Sequence, residues 1–79
     1  APLAMGFELK DEPGSIKAVT DVIRAHGGRL GSILTGYEGA PEGFRQVFIR
    51  AREIKDEQAL QKELAAKYKI LYFLHEQVD

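Results

Sequence analysis

Cysteine is absent from the 79 residues, and that single absence removes several chemistries at once. No disulfide can staple the chain, no thiolate can hold zinc, and no cysteine can act as a nucleophile. The composition suits a reducing compartment, so a cytoplasmic location is the expectation. Also missing is any apolar run near the roughly 18 residues a transmembrane helix requires, and no membrane partner is expected. Charge of one sign is lacking too: eleven basic against twelve acidic residues leave a formal charge of −1. Gripping nucleic acid through its phosphates calls for a basic excess, so nucleic acid is not an expected partner.

What is present is globular in kind, with 44% apolar and 29% charged residues. A chain this short makes one small domain that buries roughly 60–65% of its unfolded surface, so association would help it. It opens "APLAMG" without an initiator methionine. The expectation is a segment of a longer protein, with residues 1–4 a linker or tag remnant and 5–79 a single domain.

From Met5 to Lys10 the apolar residues alternate, predicting a strand with one buried face. Pro13 suits the first turn of a helix, where a missing N–H costs nothing, and Glu12 before it suits the cap. Ile16, Val19, Val22 and Ile23 then recur along one helical face until "HGG", His26 to Gly28, stops it. A second strand is predicted from about Arg29 to Tyr37, and the turn-rich "EGAPEG" leads to a third from Phe44 to Arg52. Leu60, Leu64 and Tyr68 mark a second helix between Asp56 and Lys67, with Asp56 as N-cap. Ile70 to His75 reads as a last strand, apolar on both faces.

The order β-α-β-β-α-β predicts an α+β, ferredoxin-like sandwich: a four-stranded antiparallel sheet, order 4-1-3-2, with two helices on one face. The other face would then expose Phe44 and Phe48 together with part of the last strand. Apolar surface of that kind implies a neighbouring subunit or domain.

Two stretches carry chemistry. In "LKDEPGSIKAV" the N–H groups of Gly14, Ser15 and Ile16 start a helix without intrahelical acceptors, and the helix dipole adds to their pull on a small anion. Asp11 beside them would hold a positive group, so the corner matches an amino-acid zwitterion; ordinary helix capping is the competing account. In "GGRLGSI" the small Gly31 and Ser32 let a ligand or another backbone come close, Arg29 reaches for a carboxylate, and a local bulge is the alternative. The second strand lies at the sheet edge, free to pair with its copy.

His26 and His75 lie on different elements without metal-ligand spacing, and His26 suits a helix C-terminus. No metal, no cofactor and no catalytic residue is expected, because neither a nucleophile triad nor a phosphate-binding glycine loop can be defended. "EGFRQVFIR" departs from the RNA-recognition strand: Glu42 replaces a basic residue and Gln46 takes a stacking position. An acylphosphatase-like hydrolase would want an arginine cradle where "KDEP" places acids.

Taken whole, "FELKDEPGSIKAVTDVIRAHGGRLGSIL" resembles the ACT family of small regulatory domains, through Asp11, Pro13, Gly14, Ile16, Val19, Gly27, Gly28, Leu30 and Ile33. "GGRLGSILTGYEGAPEGFRQVFIR" is also similar to the C-terminal ACT segment of bacterial proteins with paired cystathionine-β-synthase-type domains, acetoin-utilisation proteins among them. The resemblance implies a non-enzymatic regulatory module that binds an amino acid or related metabolite across a homodimer joined at edge strand two. Asp11, Glu12, Pro13, Gly14 and Ser15 would form one wall, and Arg29, Leu30 and Gly31 of the second chain the other. Amino-acid-binding members often carry Asn where this chain has Arg29, which leaves open another anionic metabolite. A pure assembly module without ligand is the alternative.

Overall fold

The computed structural model describes residues 2–76. The elements run β1 (Leu3–Lys10), α1 (Ser15–Ala25), β2 (Arg29–Gly36), β3 (Phe44–Arg52), α2 (Glu57–Lys67) and β4 (Lys69–His75). All strand pairs are antiparallel, and the sheet order is β2-β3-β1-β4, which read from the other edge is 4-1-3-2.

The two central strands set the core. Leu3, Met5, Phe7 and Leu9 alternate along β1 and, with Val47, Ile49 and Ala51 of β3, meet Val19 and Ile23 of α1 and Leu60 and Leu64 of α2. Both helices therefore pack on one sheet face. Each large side chain buried here contributes roughly 1.5–3 kcal/mol. β1 starts two residues earlier than its alternation suggests: Leu3 and Ala4, expected outside the domain, are both buried within the strand.

The helix ends follow their local chemistry. Asp56 caps α2 as expected, its Oδ1 accepting from the Ala59 N–H at 3.0 Å. At the other end of α1 the Gly27 N–H donates to Arg24 and the Gly28 N–H to Ile23, closing the six-residue loop that "HGG" promised. Gly27 takes the left-handed conformation this requires, at φ 86°. His26 then crosses to α2, its Nε2 lying 2.9 Å from Glu63 Oε1. That hydrogen bond, followed by Lys67, holds the Glu63 carboxyl below its ordinary value.

Two bulges reshape the edge strands. On β4, Gly6 pairs with Tyr72 but Phe7 pairs with Ile70, so Leu71 is the extra residue. The slip carries Ile70 to the helix side beside Phe73, whereas simple alternation had put it with Tyr72 and Leu74. On β2, Leu30 pairs with Ala51 and Ser32 with Arg50, which leaves Gly31 as the extra residue.

The face away from the helices is open. Its rows across the sheet are Leu34–Phe48–Gly6–Tyr72, Ser32–Arg50–Ala4–Leu74 and Gly36–Gln46–Glu8–Lys69, from β2 to β4. The Phe48 and Tyr72 rings stack over Gly6, 6.3 Å apart and 12° from parallel. A Cβ on residue 6 would overlap the Tyr72 ring.

Gly6→Val is accordingly expected to lower stability by about 1–3 kcal/mol in urea unfolding, while Gly36→Ala, whose Cβ meets open space, shifts it far less. A depressed carboxylate stabilises the fold above its unfolded value and ceases to as the pH falls through the lower folded one. Glu63→Gln should therefore flatten the acid limb of the stability-versus-pH curve, just below the ordinary glutamate range, and an unchanged limb would refute the tie to His26.

Candidate functional site

The segment after β1 is a turn before it is a helix. The Ser15 N–H donates to the Glu12 carbonyl at 3.3 Å, and Gly14 sits at φ 86°, ψ −7°, the geometry of a type II turn with Pro13 and Gly14 at its centre. Pro13 is thus a turn residue and not the first residue of α1, and the N-cap is Gly14 in place of Glu12. The reason is glycine's access to left-handed backbone, which lets the chain reverse more sharply than a proline-led helix start would.

Ser15, named as a free donor, is occupied by the turn, and Ala18 already donates to Gly14 at 3.0 Å. Gly14, Ile16 and Lys17 are left with N–H groups that have no acceptor among the described residues. Among the described residues no side chain caps α1 and no acid lies in its first turn, so Asp11 and Glu12 act on the helix start through charge alone and not as hydrogen-bonded caps.

Asp11 turns the other way. Its N–H donates to the Gly43 carbonyl at 2.9 Å, tying the corner to the start of β3, and its Oδ1 accepts from the Tyr37 hydroxyl at 3.3 Å. Arg45 of β3 enters from below: its guanidinium donates to Ser15 Oγ at 3.2 Å and holds Nε 3.8 Å from Asp11 Oδ1. That Nε is shut off from solvent with no hydrogen-bond partner among the described residues. Sequence reasoning missed Arg45. Its signal was weak: an arginine on the core-facing side of a strand, opposite Leu9, one residue after the aromatic that opens the strand.

Glu12, Pro13, Gly14 and Ser15 come together on one wall of a cleft of about 470 Å³, within the usual size for small-molecule sites. The opposite wall is the junction of α2 and β4, Lys67 to Lys69, and Leu9, Ala18 and Phe44 supply apolar surface. Lys10, Lys67 and Lys69 bring positive charge, against Glu8 and Glu12. Lys67 is engaged by Glu63 at 3.0 Å and Lys69 by Glu8 at 3.6 Å, whereas Lys10 has no ion pair among the described residues. The cleft thus offers a cation and an apolar lining beside the turn, a setting for a small organic anion.

Arg29, Leu30 and Gly31 are not part of it. Antiparallel pairing puts the start of β2 beside the Ala51–Arg52 end of β3, whereas the corner lies at the Phe44 end. Arg29 is largely exposed and faces Glu53, Nε to Oε2 at 3.5 Å. Gly31 is the bulge residue, beside a second hollow of about 270 Å³ that Arg50 and Arg52 also line. The two halves expected of one site sit at opposite ends of a single chain, so joining them requires a second chain. No group of three or more metal-ligating side chains occurs among the described residues.

Compared with known proteins, the chain matches no family model and no curated protein.

Arg45→Met is expected to free the start of α1. Amide exchange at Ala18 and Val19 should accelerate several-fold, with a global loss of about 1 kcal/mol, since the arginine's contacts are one hydrogen bond and one long ion pair. Unchanged exchange at those amides would show that Arg45 does not hold the corner.

Proposed function

We propose that the chain is a regulatory ligand-binding module of the ACT kind, which takes a small anionic metabolite, an amino acid or a relative of one, at the Pro13–Gly14 corner. The observation that carries this reading is the uncapped start of α1 opening into a cleft with lysines and apolar surface. The resemblance of the "KDEPGS" corner and the "HGGRLGSI" stretch to that family supports it. Regulation would follow from association. A ligand whose pocket is completed by a second chain favours the joined state by its differential affinity for it. β2 is a free edge strand, and Ser32 to Gly36 beyond the bulge form a regular run able to pair with its copy. In that arrangement Arg29, Leu30 and Gly31 of the second chain would close the site.

A second reading, an assembly module without ligand, is favoured by one observation: Leu34, Tyr72 and Leu74 remain exposed on the sheet. Thermal melts against a panel of amino acids, organic acids and nucleotides separate the two. A metabolite at a hundred times its dissociation constant stabilises by about 2.7 kcal/mol, a shift of many degrees for a domain of this size. No shift with any compound, alongside stable self-association, would favour assembly.

The site itself is tested at Ala18, an exposed helical residue on the cleft wall. Ala18→Phe fills the cleft without backbone strain and should weaken the metabolite about tenfold or more by calorimetry; unchanged affinity would place the ligand elsewhere. Gly14→Val makes a poorer test, because a β-branched residue at φ 86° strains the turn as well as filling it.

A further inference from the structure

The open sheet face has a pattern of sizes that fits its own copy. In the row Leu34–Phe48–Gly6–Tyr72, the bulky side chain of the central pair is on β3 and the missing one on β1. The next row repeats this, with Arg50 on β3 and Ala4 on β1, and adds small Ser32 on β2 against large Leu74 on β4. The third row has Gly36 on β2 and Lys69 on β4.

A two-fold axis running parallel to the strands, between two such faces, lays β3 over β1 of the other copy and β2 over β4. To within the sheet twist, Phe48 then meets Gly6, Arg50 meets Ala4, Leu74 meets Ser32 and Lys69 meets Gly36. Leu34, 64% exposed in the single chain, falls against Tyr72. Gln46 comes over Glu8, a donor over an acceptor. Four of the six facing pairs thus set a large side chain against a small or absent one, the other two match Leu34 with Tyr72 and Gln46 with Glu8, and no like charges oppose each other in these rows.

Size and charge agree with this. The molecule is a slab, 34 × 28 × 17 Å, whose thin dimension is one sheet and one helix layer, so its broad face is comparable to the about 800 Å² each partner gives a standard interface. Charges within the face come as pairs, Arg50 with Glu76 at 2.6 Å and Lys69 with Glu8 at 3.6 Å, with Lys10 and Arg52 at the two ends. A partner of opposite net charge is not called for. A hollow of about 190 Å³ between Leu34 and Tyr72 gives the second copy somewhere to seat.

We infer that the chain self-associates face to face through this sheet surface, a contact separate from the β2 edge and independent of any ligand. Sedimentation equilibrium on the 79-residue chain tests it, with two variants at positions exposed in the single chain. Leu74→Glu lies on β4, away from the β2 edge, and Arg50→Glu lies on inner strand β3, which has no free edge. Circular dichroism checks that each still folds. The expected result is an associating parent chain and about tenfold or greater weakening in each variant. A parent that stays monomeric up to millimolar loading overturns the inference. So does parent-like association in either variant, which would locate the contact at an edge or on the helices.

Discussion

Strand β1 lies between two other strands and has its odd-numbered side chains sealed beneath both helices. A strand so placed cannot shift by one residue, because the slip would drive Met5 and Phe7 onto the open face and bring Glu8 into the core. That fixed register decides much else. It sets where Lys10 ends, hence where the chain must reverse, and it places Gly6 where two rings can close over it. The apolar content that might have been shared between two layers is concentrated on one. The opposite side of the sheet mixes Leu34, Phe48, Tyr72 and Leu74 with Arg50, Glu8 and Lys69, and no layer covers it among the described residues.

The order of elements was legible because each carried the period its packing needs. β1 and β3 alternate, α1 shows its apolar stripe, and Asp56 and "HGG" mark helix ends through side-chain and backbone hydrogen bonds that sequence encodes directly. The misreadings share a cause. Pro13 is compatible with both a first helical turn and a type II turn, and what decides is the conformation of Gly14, which composition does not reveal. Ile70 and Leu71 are both apolar, so the bulge that sends Ile70 inward has no trace in their identities. Arg45 was overlooked because its importance depends on Asp11 and Ser15, far off along the chain.

At the corner, opposing demands meet in a small volume. The start of α1 repels cations, yet Arg45 is held against it by Ser15 and Asp11, with one nitrogen left unsatisfied. Asp11 is tied to Tyr37 through its Oδ1 and to Gly43 through its backbone N–H, and the same Oδ1 lies 3.8 Å from Arg45. The corner and its cleft thus bring charges of both signs beside an apolar wall, from segments far apart along the chain. Its partner residues of the "GGRLGSI" stretch are a sheet length away.

The bulges at Gly31 and Leu71 fall on the two border strands and on no other. A border strand of one molecule zipped to the opposite border of the next makes a head-to-tail contact, which runs on as an open filament unless its rotation closes a ring. One surplus residue per border twists each ribbon and spoils the long flat run that endless stacking needs. The bulge at Gly31, which the sequence offered as an alternative, and the one at Leu71, which it did not show, thus both work against edge-to-edge fibre growth.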